Sequence, residues 1–218
     1  IINTLLKLYQ AKDYKNLERE SLKYVDKFPQ SPALLNLIAA SKSYLGKHNE
    51  SIEYFKKICS LQPKEAQNYS NVGKALHDIR KDFEAIEYFD KALNLKPNDV
   101  NILAQVGYIY VEKLMPEKAI NYLKKAANIK STPQIIFMLG DAYRLLGDQK
   151  KALENFSKAL NLDPEMPQAH YRLGMLFKEK GNYEQSLKHL EISDNYNDSK
   201  ERIIETKYLM EDYQGLKK

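Results

Sequence analysis

One cysteine, Cys59, stands among 218 residues. An intrachain disulfide is therefore excluded, and the chain suits a reducing compartment. A cytoplasmic location is expected. Glycine and proline are scarce, eight of each, and most recur at fixed places. No apolar run approaches the ~18 residues that a membrane helix needs, so no membrane partner is expected. Dense basic runs are missing too. Lys and Arg number 34 against 29 Asp and Glu, a net charge of +5, with both signs mixed along the chain. Such mixing marks a solvated helical surface, and nucleic acid is not an expected partner. Walker loops, Gly-x-Gly-x-x-Gly and Gly-x-Ser-x-Gly are absent. The start does not read as a signal peptide. Ile1 is not an initiator methionine, so the stretch is read as part of a longer chain.

What is present is a period. Hydrophobic residues make up 43% and charged residues 29%, the balance of a folded chain. Gly73, Gly107, Gly140 and Gly174 are 34, 33 and 34 residues apart. Ser51, Ala85, Ala119, Ala152 and Ser186 are spaced 34, 34, 33 and 34. Two small-residue columns agreeing on one period signal a repeat architecture. In the stretch Lys81 to Pro97, Ala85, Phe89 and Ala92 share one helix face. Pro97 stops that helix, because its ring has no N–H to continue the ladder. The same arrangement returns at Ala152, Phe156, Ala159 and Pro164.

Each repeat reads as two antiparallel helices. Pro32, Pro133 and Pro167 open first helices, where a missing N–H costs nothing. Gly46, Gly147 and Gly181 fall at the ends of first helices, where a left-handed residue is wanted. Pro116 opens a second helix after a turn without glycine. The units are a clipped pair over Ile1–Ser31, then Pro32–Glu65, Ala66–Asp99, Val100–Thr132, Pro133–Met166 and Pro167–Lys200. A degenerate tail covers 201–218, with a first helix at Arg202 to Met210 and the opening of a second from Asp212. About three or more such pairs bury a continuous core by stacking. No linker interrupts the period, so one array is expected.

These residues resemble the tetratricopeptide repeat. Tyr69, Val72, Gly73, Leu76, Ala85, Phe89, Ala92 and Pro97 fill that family's pattern in one unit. Ile136, Leu139, Gly140, Tyr143, Ala152, Phe156, Ala159 and Pro164 fill it in another. The resemblance implies an all-α, right-handed superhelical solenoid of antiparallel helix pairs. It also implies a protein–protein interaction scaffold that binds a protein or peptide segment in a concave groove lined by first helices. The stretch LLKLYQAKDYKNLERESLKYVDKFP is similar to repeat regions that precede catalytic domains in O-linked sugar transferases. A rival reading therefore makes this chain the substrate-docking region of a longer transferase.

Catalytic and metal-binding residues are not marked, and no cofactor is expected. The four histidines, His48, His77, His170 and His189, do not pair with one another or with acids at a metal-ligand spacing. His170 falls in a packing column, and His48 and His189 are expected at the surface. Cys59 reads as a small buried hydrophobe. The candidate binding residues come from the inner face that the resemblance implies: Lys74, His77, Tyr108, Glu112, Phe137, Asp141, Arg144, Tyr171, Met175 and Lys178. Of these, Tyr108, Phe137, Tyr171 and Met175 are large groups with no expected packing duty inside their pairs. Exposed aromatics of that kind anchor a partner's side chains. Acids and bases alternate on the face, which suits a peptide of mixed charge better than a phosphate backbone. The lysine, arginine and asparagine cluster with which some family members hold a C-terminal carboxylate is not formed. The asparagine ladder of the sugar-transferase members is kept only at Asn71.

Overall fold

The structure is a computed structural model that describes the backbone of residues 1–215 and the side chains of residues 1–212. The described residues form thirteen helices and no strand. They fall into two compact units, Ile1–Ile102 and from Leu103 onward. The first holds α1 (Ile2–Gln10), α2 (Tyr14–Leu22), α3 (Pro32–Tyr44), α4 (His48–Leu61), α5 (Ala66–Asp78) and α6 (Asp82–Leu95). The division falls early in α7 (Val100–Glu112). The second unit continues with α8 (Pro116–Ile129), α9 (Pro133–Leu145), α10 (Gln149–Leu162), α11 (Pro167–Glu179), α12 (Tyr183–Ile192) and α13 (Ser199–Gly215). Helices adjacent in sequence pack as pairs, and within each unit pair stacks on pair, giving an all-α solenoid.

The helix ends follow the residue chemistry. Pro32, Pro116, Pro133 and Pro167 each stand in a first turn. The Ser31 and Thr132 hydroxyls accept the Leu34 and Ile135 N–H groups at 3.4 and 3.3 Å, capping α3 and α9. Gly46, Gly147 and Gly181 turn left-handed at φ +76°, +83° and +73°. The remaining turns of this kind use side-chain-bearing residues: Lys12, Arg80 and Leu114 take φ of 56°, 62° and 56°.

The glycine column is a contact surface. A Cβ on Gly73 would lie 2.8 Å from the Phe89 ring, and one on Gly140 would lie 2.7 Å from the Phe156 ring. Gly107 and Gly174 stand in the same relation to Leu123 and Leu190. Each glycine lets the bulky residue of the second helix rest on the backbone of the first. Phe89, Phe156, Leu123 and Leu190 are consequently buried, together with Ala85, Ala92, Ala119, Ala126, Ala152 and Ala159. The α3/α4 pair carries Ala39 in this column, and its backbone carbonyl accepts the Ser51 hydroxyl at 2.8 Å.

One element departs from the sequence reading. The opening of a second helix from Asp212 does not form: α13 runs unbroken to Gly215. No proline or glycine precedes Asp212 in that stretch to stop the first helix. The last part of the expected tail, 216–218, lies outside the described residues.

Candidate docking surface

The ten candidate residues divide between the two compact units, with Lys74 and His77 in the first and the other eight in the second. In the first unit a cleft of about 530 Å³ opens along α1, α3 and α5, with Phe55 of α4 at its floor. Leu6 and Tyr9 come from α1, Asn36, Leu37, Ala40, Ser43 and Tyr44 from α3, and Asn71, Lys74, Ala75 and Asp78 from α5. The helical period sets this lining, since 36, 40, 43 and 44 recur at three- and four-residue steps. The same turn-by-turn spacing holds for 71, 74, 75 and 78 on α5. Opposite helix faces go to the core, where Leu34, Leu35 and Ile38 of α3 and Val72 and Leu76 of α5 are buried.

A tyrosine cluster forms one end of this cleft. The Tyr44 ring stacks on Tyr14 at 4.1 Å, and Tyr9 meets Tyr44 edge-on at 6.2 Å. Tyr44 is still 60% exposed. A hydrogen bond with Tyr44, together with burial, raises the Tyr9 hydroxyl above the usual phenol range. Sequence reading missed Tyr9 and Tyr14. Their contribution depends on how the first pair docks onto α3, and no repeat column marks it.

Polar groups line the rest. Asn71, which lines the cleft, accepts through Oδ1 from Gln67 Nε2 at 2.8 Å, a bond that does not use its amide N–H groups. Lys74 is exposed and, among the described residues, has no ion-pair partner. Asp78 Oδ2 lies 3.9 Å from His48 Nδ1, beyond hydrogen-bond reach. His77 does not line this cleft. Its Nδ1 is 2.6 Å from Oδ1 of the buried Asp82, which ties the end of α5 to the start of α6.

In the second unit several expected groove residues prove to be packing residues. Phe137 is 7% exposed, and its ring packs 5.5 Å from Phe156. Tyr171 is 5% exposed, donates its hydroxyl to Asp198 Oδ1 at 2.5 Å and meets Tyr196 edge-on at 5.6 Å. The expectation that these rings are free of packing is corrected. Phe156 of the same pair meets Phe137, and Tyr196 and Asp198 in the segment between α12 and α13 meet Tyr171, contacts that the face of one helix does not show. Asp141 is buried between Arg144 and Arg172, with N–O distances of 3.0 and 2.8 Å. Lys178 Nζ bridges to Glu205 at 2.8 Å. Tyr108 remains 41% exposed and donates to Glu112 Oε1 at 2.7 Å, and Met175 is half-buried.

The histidines also need correction. His170 and His189 are 19 residues apart, yet their Nδ1 atoms lie 2.9 Å apart. His170 Nε2 donates to the Pro164 carbonyl at 2.9 Å, so in the neutral pair its Nδ1 accepts from His189. His189 is half-buried, not at the surface, and its ring stacks on Phe177 at 5.5 Å. Burial, aided by His170 and Lys188, pushes the His189 imidazole down to about 4. Among the described residues no group of three His, Cys, Asp or Glu could hold a metal ion. Cys59 is buried, and burial pushes its thiol up to about 11, away from nucleophilic use. No helix of the described residues is long and apolar enough to cross a membrane.

The repeated helix pair is what known proteins share with this chain. Family models described as the tetratricopeptide repeat match residues 32–65, 66–99 and 100–133, and one described as the TPR repeat matches 140–181. The chain belongs to the tetratricopeptide-repeat family. Among solved structures, the C-terminal part of a TPR repeat-containing protein from Cytophaga hutchinsonii superimposes with a TM-score of 0.76 at 19% identity. That match covers 88% of this chain and 78% of the other. MamA from Desulfovibrio magneticus RS-1 gives 0.71 at 22% identity, over 76% and 97%. YrrB, described as a TPR protein with an unusual peptide-binding site, gives 0.69 at 20%, over 86% and 97%. At these identities the likeness is one of fold. A sol locus transcriptional repressor of Clostridium acetobutylicum is 32% identical over 92 residues. That match covers 40% of this chain and 29% of the repressor, so the chain spans under a third of that relative's length. The tetratricopeptide fold is an interaction scaffold, with side chains presented from a repeated frame.

Proposed function

We propose that this tetratricopeptide-repeat chain binds an extended segment of a partner protein, and that the cleft of the first compact unit is a principal docking site. The observation that carries this is the composition of the cleft. It joins an exposed tyrosine, Tyr44, held rigid by Tyr9 and Tyr14, to the amide groups of Asn36 and Asn71 and the charges of Lys74 and Asp78. Rigid aromatics anchor side chains at low entropic cost, and amides satisfy a partner's backbone. The peptide-binding site named for YrrB, a protein of the same fold, supports the reading. In the second unit, Tyr108, Glu112, Arg144 and Met175 are the candidate contacts that remain accessible, with Phe137, Asp141, Tyr171 and Lys178 shaping the surface from beneath.

Selection of a displayed random-peptide library tests the proposal. Peptides enriched on the wild-type chain should lose binding about tenfold or more to a Tyr44→Ala/Asn71→Ala variant, as removal of an interface anchor does. Circular dichroism confirms that the variant is folded. Undiminished binding to the folded variant excludes this cleft as the docking site.

A further inference from the structure

The cleft carries an ordered pair of unspent charges. Lys74 and Asp78 are four residues apart on α5, so they project from the same helix face one turn apart, about 6 Å between Cβ atoms. Both line the cleft and both are exposed. Lys74 has no ion-pair partner among the described residues, and Asp78 has only the 3.9 Å approach of His48. The other cations of the candidate face are neutralised in place, Arg144 by Asp141 and Lys178 by Glu205. The positions equivalent to Lys74 and Asp78 one repeat earlier are Ala40 and Tyr44, and both also line the cleft. A cation drawn to Asp78 therefore finds an aromatic ring on the same wall, and an anion drawn to Lys74 finds a small residue that leaves room.

In an extended chain, side chains two residues apart point the same way and stand about 6.6 Å apart. That matches one turn of helix. Resting on the peptide-docking reading above, we propose that the cleft selects its partner by charge order. It takes an extended segment with an acidic and a basic residue two positions apart, the acid on Lys74 and the base on Asp78 beside Tyr44. Held in the same chain direction, a segment with the two charges exchanged sets like against like at both positions and is rejected, which is how an interface discriminates rather than merely binds.

The test uses three fluorescently labelled peptides of one apolar background, containing Glu-x-Arg, Arg-x-Glu or Gln-x-Gln, titrated against the whole chain by anisotropy. The wild type should prefer one charged order over the other by about five- to tenfold at low salt, the size expected of two partly screened pairs. The Lys74→Glu/Asp78→Lys variant, which exchanges two exposed charges on one helix face, should invert that preference. If all three peptides bind alike, and lose binding in Tyr44→Ala, charge-order selection is overturned and peptide docking stands. If a preference appears but does not invert in the exchange variant, Lys74 and Asp78 are not its readers, and this inference also fails. If none of the peptides binds, and the library yields none that depends on Tyr44, both readings fall.

Discussion

Two kinds of glycine occupy this chain, and substitution separates them. Gly140 is small because the Phe156 ring lies where a Cβ would be, at 2.7 Å. Gly46 is glycine because its φ is +76°, with nothing within 4 Å of an added Cβ. Gly140→Ala must push a buried ring and should destabilise by about 1–3 kcal/mol, the usual cost of overpacking. For a chain of this length that is a fall in Tm of roughly 2–4 °C per kcal/mol, read by thermal denaturation. A second residue-scale effect lies at His189, whose imidazole is pushed from its ordinary 6.5 down to about 4 by burial against Phe177 and His170. Between those values the unfolded chain binds a proton that the folded chain does not. Stability therefore falls as pH drops from about 6.5 towards 4 and is unaffected by this group above that window. The His189 ring resonances, followed by NMR, should move only near pH 4, and a midpoint near 6.5 would contradict the burial of the ring.

At the scale of helices, the turns between first and second helices repeat one left-handed residue with or without glycine. Leu114 holds φ +56° while 70% exposed. Leu114→Gly relieves that conformation without loss of a core contact and should stabilise by up to about 1 kcal/mol, seen as a higher denaturation midpoint. The periodic features were legible from sequence: proline starts at Pro32, Pro116, Pro133 and Pro167, glycine ends, and the Ala-Phe-Ala face of α6 and α10. They were legible because each depends on residues within one pair. What was not legible depends on side-chain contacts that no repeat column marks. Phe137 looks free on α9, yet its ring meets Phe156 of α10, and Tyr171 looks free on α11, yet Tyr196 and Asp198 beyond α12 engage it. His170 meets His189 across a helix–turn–helix at a spacing that no metal or catalytic pattern would flag. The tyrosine cluster joins α1, α2 and α3, in the part of the sequence where the repeat is incomplete. Asp212 shows a different limit, since a repeat expectation placed a helix start where no residue stops the helix already running.

For the molecule as a whole, a mild positive charge comes with sixteen tyrosines, several of whose rings are taken up by packing. Tyr110 and Tyr143 are buried in packing columns. Lysine ammonium groups of the chain sit over Tyr88 and Tyr122 at 4.5 and 5.8 Å from the ring centroids, on faces that base stacking would need. The candidate acids and bases of the second unit are engaged, Asp141 with Arg144, Lys178 with Glu205 and Glu112 with Tyr108, which leaves Lys74 and Asp78 of the first unit's cleft as the unspent charges. That cleft, rather than the more conspicuous aromatics of the second unit, is therefore the centre of the functional account. NMR mapping tests it most directly: a library-selected peptide is titrated into the isotopically labelled chain and the backbone amide shifts are followed. The largest shifts are expected at Asn36, Ala40, Ser43, Tyr44, Asn71, Lys74 and Asp78. Shifts concentrated instead on the second helices, around Tyr54 and Tyr88, would contradict it.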